Sequence, residues 1–159
     1  MGGNILAIDP GLNNGLAVLD QDGSLLMATE LQPIDTGANR RLNLSGLSLL
    51  CAQYDVDHAV IEDVASMPGQ GLASTFRFGC AAGAVEGALQ ALHVPIEFVR
   101  PATWKKALGA KAKDAEDIRA LAIQRWPSMA EFFSRKKDHN RAEAALIALW
   151  FLQTRRSEN

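Results

Sequence analysis

At 159 residues the chain is the size of one domain, expected to run from residue 1 to 159 around a single core. Thirteen Gly and six Pro are too few for a fibrous or low-complexity protein, and 48% hydrophobic with 21% charged residues is ordinary for a globular one. Cys51 and Cys80 lie far apart in apolar runs, which excludes a disulfide framework and a zinc pattern and fits a reducing, cytoplasmic compartment. No secretory signal opens the chain, and the apolar stretch from Leu72 to Val94 is interrupted by Arg77, Glu86, Gln90 and His93, so no membrane partner is expected. The net charge of −2 hides a strong asymmetry. Residues 1–99 carry three basic against eleven acidic groups, whereas residues 100–141 carry eleven basic against five acidic. A local basic block attracts polyanions whatever the total, because the interaction is screened within about 10 Å.

Asn4–Asp9 is a short apolar strand that ends on a carboxylate and is broken by Pro10-Gly11. Gly15–Asp20 is a second strand, Gln21-Asp22-Gly23 a hairpin signal, and Ser24–Leu31 a third strand, together an antiparallel meander. Arg40 to Tyr54 has near-helical spacing of its leucines. His58–Glu62 is a fourth strand, again ending on a carboxylate. A helix rich in Ala and Gly runs from Leu72 to His93 and stops before Pro95, and Ile96–Val99 is a fifth strand. Pro101–Leu108 reads as a short helix with proline in its first turn, and Asp114 caps another that ends at Trp126. Ser128–Lys137 reads as irregular, and Asn140 to Arg155 as the last helix, with Ala142, Ala145, Leu146, Leu149 and Leu152 on one stripe. The order predicts an α/β fold: a mixed five-stranded sheet of three antiparallel and two crossover strands, with helices on both faces.

Sites in such folds gather where strands end. Asp9 and Glu62 close strands that can lie side by side, which would set both carboxylates at one edge. Glu143 begins the last helix after Asp138, His139 and Asn140, and residues three or four apart share a helical face, so His139 or Asn140 can accompany it. Carboxylates this close repel unless a cation neutralises them, and all-oxygen ligands favour Mg²⁺ or Mn²⁺. Two such ions about 3.5–4 Å apart are suited to phosphodiester hydrolysis.

Three blocks carry a resemblance: Ile8-Asp9-Pro10-Gly11-Leu12-Asn13-Asn14-Gly15, then Val60-Ile61-Glu62, then Asn140-Arg141-Ala142-Glu143 with the apolar run behind it. In identity, spacing and order they resemble the RuvC-type Holliday-junction resolvases of the RNase H-like superfamily. The resemblance implies an RNase H-like fold and a homodimer that nicks two strands of a four-way DNA junction symmetrically. It also implies Mg²⁺, with Mn²⁺ as a substitute and two ions per site, on nucleoid or phage DNA, and it leaves a branch-migration helicase open as a further partner. Position by position, Asp9 and Glu62 match the strand acids, and Glu143 falls where the family has its last aspartate. Asn140 stands where a second acid or a histidine is usual, which leaves Asp138 as the fourth candidate catalytic and metal-binding residue, with His139 and Asn140 beside it.

Candidate phosphate contacts are Arg77, flanked by Phe76 and Phe78, and then Lys105, Lys106, Lys111, Lys113, Arg135, Lys136, Lys137 and Arg141, with Arg100 nearby. Trp104 reads as a packing anchor. The turn after Asp9 is also similar to the phosphate loop of actin and the sugar kinases, but those folds need two duplicated domains. A non-catalytic DNA-binding relative and a nuclease acting on other branched DNA or RNA complete the alternatives.

Overall fold

A computed structural model describes residues 2–34, 37, 40–109 and 114–158. Its sheet has five strands, β1 (Asn4–Asp9), β2 (Gly15–Leu19), β3 (Leu25–Thr29), β4 (Val56–Glu62) and β5 (Ile96–Val99), in the order β3-β2-β1-β4-β5. β1 pairs antiparallel with β2 and parallel with β4; β2 pairs antiparallel with β3, and β4 parallel with β5. The helices are α1 (Ser45–Gln53), α2 (Leu72–Ala91), α3 (Pro101–Ala107), α4 (Ala115–Arg125) and α5 (His139–Ser157).

Strand parity divides the core in two, because successive side chains point to opposite faces. Ile5, Ala7, Ala17, Leu19 and Val60 pack with α5, α4 and α3, joined by Trp104, Trp126 and Phe133. Leu6, Ile8, Leu16, Val18, Ala59 and Ile61 pack with α1 and α2 through Leu47, Leu50, Ala81, Val85 and Leu89. The parallel pairs β1·β4 and β4·β5 thus lie in a sheet covered on both faces, as crossover connections require. No helix among the described residues is long and apolar enough to cross a membrane. Cys51 and Cys80 are both free.

Three expectations need correction. The first helix starts at Ser45 rather than Arg40: Ile34 N–H donates to Arg41 and Asn43 N–H to Gln32, so this stretch spends its backbone groups across an isolated bridge between Pro33 and Leu42. The segment after α4 is not irregular but forms two 3₁₀ turns, Pro127–Phe133 and Lys136–Asp138. Arg119, on α4, holds this connector by donating to the carbonyls of Phe133 and Ser134, both at 2.9 Å. Finally, α2 ends at Ala91, and His93 turns the chain out with φ 57° before Pro95.

The Asp9 turn is fixed by side chains as well as by glycine. Asn14 is buried; its carboxamide accepts from Leu31 N–H at 2.7 Å and donates to the Leu31 carbonyl at 3.2 Å, so the β1–β2 turn is tied to the end of β3. Gly15 has no room for a side chain: a Cβ there would lie 2.0 Å from the Asn140 carbonyl oxygen. That close approach sets the first turn of α5 against the sheet.

Candidate active site

Parity and register bring the strand acids together. Asp9 continues the Ile5, Ala7 series and Glu62 the Val60 series, both on the α5 side of the sheet. Ile8 is in register with Ile61 on the parallel neighbour, so the next residues on each strand, Asp9 and Glu62, emerge side by side at the C-terminal ends of β1 and β4. Glu143, one turn into α5, reaches the same point from above. One carboxylate oxygen from each of Asp9, Glu62 and Glu143 lies within 4.8 Å of the others.

Asp9 and Glu62 are almost fully enclosed, at 8% and 5% exposure. Burial, and then the charges of Glu143 and Glu62, hold the Asp9 carboxyl well above the usual carboxylate range. Burial also raises Glu62; a hydrogen bond from Trp104 opposes that rise, Glu143 adds to it, and Lys105 opposes it again. The Trp104 indole Nε1–H donates to Glu62 Oε1 at 2.8 Å. Lys105 Nζ stands 3.4 Å from Glu143 Oε1 and 5.2 Å from the centre of the Trp104 ring. Consecutive residues of α3 therefore touch two different carboxylates. The spacing of the α3 sequence gives no sign of this, since it depends on how the short helix docks; Trp104 read as a packing anchor is also a donor to the acidic group.

The donor set fits a hard divalent cation. Three carboxylates share a small, largely buried space with one ammonium among the described residues, all the available ligand atoms are oxygen, and burial penalises the charge that a cation would stabilise.

The other candidate ligands do not join this group. Asp138 is 1% exposed and turned into arginines: Arg135 donates to it from Nη2 at 2.8 Å and from its backbone N–H at 2.8 Å, and Arg141 Nη1 lies 3.8 Å away. Burial works against its charge, but the bonds from Arg135 and the positive charges of Arg141 and Arg135 keep its carboxyl below the ordinary value. It anchors the start of α5 rather than facing the carboxylates. His139 Nδ1 lies 3.3 Å from the Lys136 carbonyl, and the Asn140 backbone packs on the Gly15 site.

The basic residues also sort into classes. Arg141 is mostly buried, bonded to Glu30 as well as facing Asp138, so its guanidinium is committed to the fold. Arg135 is half-exposed and shared with Asp138. Arg77, Arg100, Lys106, Lys136 and Lys137 are exposed. Lys111 and Lys113 lie outside the described residues.

No protein-family model and no curated protein matches this sequence. Among solved structures, the chain is similar to RuvC of Thermus thermophilus in complex with a Holliday-junction substrate, with a TM-score of 0.69, 18% identity and 96% of each chain covered. A second Thermus thermophilus RuvC structure gives a TM-score of 0.66 at 22% identity, covering 97% of this chain and 96% of that one. The yeast mitochondrial Holliday junction resolvase Ydc2 gives 0.55 at 14% identity, covering 94% and 78%. The chain has the RuvC-type, RNase H-like fold. Both the strand order and the full-length superposition agree with the expectation drawn from its three sequence blocks.

Proposed function

We propose that this chain is a metal-dependent, structure-selective DNA endonuclease that resolves four-way junctions by paired nicking. The observation that carries the reading is the convergence of Asp9, Glu62 and Glu143 at the C-terminal ends of β1 and β4, in a fold shared over nearly its full length with two resolvases. Three intact, clustered acids favour a nuclease over a non-catalytic binding module.

Asp9, Glu62 and Glu143 would hold Mg²⁺, with Mn²⁺ as a substitute and two ions per site, which when bound supply charge neutralisation at the phosphate and a water acidic enough to attack it. Lys105, beside Glu143, balances negative charge at the cluster and can turn toward a phosphate. Arg77, Arg100, Lys106, Lys136 and Lys137, all exposed, would contact the DNA backbone, giving binding that is salt-sensitive and largely blind to sequence. Asp138 has no direct part in the chemistry.

Paired nicking calls for two such sites, hence a homodimer. The outer face of α2 supports one: Gly79, Gly83 and Gly87 repeat every four residues with open space where a Cβ would stand, while Leu72 and Phe76 are 90% and 73% exposed. The setting is the reducing cytoplasm, on nucleoid or phage DNA, with a branch-migration helicase as a further partner.

The test is cleavage of a labelled four-way junction beside linear duplex of the same sequence, with and without Mg²⁺. Mg²⁺-dependent nicks on two strands of like polarity are expected. Asp9→Asn and Glu62→Gln are expected to lose at least 100-fold in rate while binding the junction equally or more tightly, since each removes negative charge near phosphate. Retained nicking by either variant removes that residue from the mechanism.

A further inference from the structure

We infer that Trp104 is a positioning residue for the metal site, holding Glu62 in the orientation that a divalent cation needs; the inference rests on the metal reading above. Trp104 is fully buried, so its indole N–H must find an acceptor inside the protein, and the acceptor it has is Glu62 Oε1 at 2.8 Å. A neutral donor suits this place. Lys105, the other group that α3 brings to the cluster, carries a charge and pairs with Glu143, where it competes with an incoming cation. The indole instead occupies one oxygen of Glu62 as an uncharged donor, leaving the second oxygen free for a metal ion.

Arg100, the residue before α3, is extended, and Pro101 begins the helix at a fixed φ, so the placement of Trp104 is set by the end of β5. Val99 is in register with Glu62 on the adjacent strand, which puts the donor only five residues along the chain from the acceptor's neighbour. The ring rests in the same core as Val60 and Ala142, so the hydrogen bond is held by packing on both β4 and α5.

Trp104→Phe keeps most of the packing and deletes the donor. Losing a hydrogen-bond partner of a metal ligand typically costs about 10–100-fold in metal affinity, so the Mg²⁺ dissociation constant from calorimetric titration at fixed temperature is expected to rise roughly 10-fold or more. A role limited to packing would lower the melting temperature in EDTA and leave that Mg²⁺ dissociation constant unchanged, which would overturn the proposal. A second measurement does not depend on the variant's folding. In wild-type protein labelled with 5-fluorotryptophan, assigned against Trp126→Phe and Trp150→Phe, the Trp104 ¹⁹F resonance should move with added Mg²⁺ at the midpoint of the calorimetric titration. A Trp104 signal that stays still while Mg²⁺ stabilises the protein would overturn the proposal and leave the metal site standing. Wild-type protein with neither response would overturn both.

Discussion

Asp9 concentrates the electrostatic problem of this molecule in one side chain. Burial and two nearby acids raise its carboxyl well above the ordinary value, so in the metal-free protein it ionises at a cost to the fold. A group whose folded value is raised favours the folded state fully below its unfolded value, near 4, and loses that contribution as pH rises through the folded value. Asp9→Asn cannot ionise. In EDTA at pH 7 it is therefore expected to melt higher than wild type, by about 2–4 °C for each kcal/mol of repulsion relieved, with the advantage shrinking to nothing as pH falls toward 4. Saturating Mg²⁺ should reverse the order by stabilising wild type alone. Calorimetry across pH with and without Mg²⁺ checks this, and an equal melting temperature for the two proteins at pH 7 in EDTA would deny the repulsion. Asp9, Glu62 and Glu143 could be singled out in the sequence because strand ends and helix starts are local features. Trp104 and Lys105 could not be placed at the site, since a short helix shows nothing of which carboxylate it will face. Asp138 misled for a related reason: an acid five residues before Glu143 looks the same in sequence whether it turns toward the other carboxylates or toward Arg135 and Arg141.

The approach of α5 to β2 decides whether Glu143 reaches the strand acids. Its first turn lies on Gly15, where a Cβ would meet backbone atoms of Asn140 at 2.0 and 2.2 Å. Backbone on backbone cannot yield as a flexible side chain can, so Gly15→Ala must push the start of α5 outward. A stability loss of about 1–3 kcal/mol is expected. Because a misplacement near 1 Å can cost about 100-fold in rate, cleavage should fall by more than stability alone explains. Urea unfolding and initial cleavage rates measure the two effects, with Gly46→Ala on α1, whose Cβ would meet only an ordinary contact at 3.7 Å, as a control expected to affect neither adversely. Normal cleavage by Gly15→Ala would mean that α5 does not depend on this contact. The five strands were legible within two residues at each end, because alternation and hairpin signals are short-range. The start of α1 was not: Leu42 and Leu44 have helical spacing, yet the backbone bonds around Leu42 go to the segment at Gln32–Ile34, a tertiary choice that outweighs propensity.

Across the whole molecule, the charge division along the chain follows the architecture. The acidic part contributes β1 and β4 with Asp9 and Glu62, and the basic block contributes α3, α4 and the connector into α5, all on the site's side of the sheet. Much of that basic charge already has partners within the protein: Arg119 serves carbonyls, Arg141 binds Glu30, Arg135 holds Asp138 and Lys105 faces Glu143. Of the exposed remainder, Arg100 and Lys106 lie at α3 and Lys136 and Lys137 in the connector just before α5, the two segments that bring Lys105 and Glu143 to the cluster. The central claim is that one sheet edge gathers three distant acids to hold divalent cations. Its most direct measurement is anomalous diffraction at the manganese edge from crystals grown with Mn²⁺. Density for manganese in contact with Asp9, Glu62 and Glu143 is expected, lost in Glu62→Gln crystals; saturating Mn²⁺ that leaves this cluster empty would contradict it.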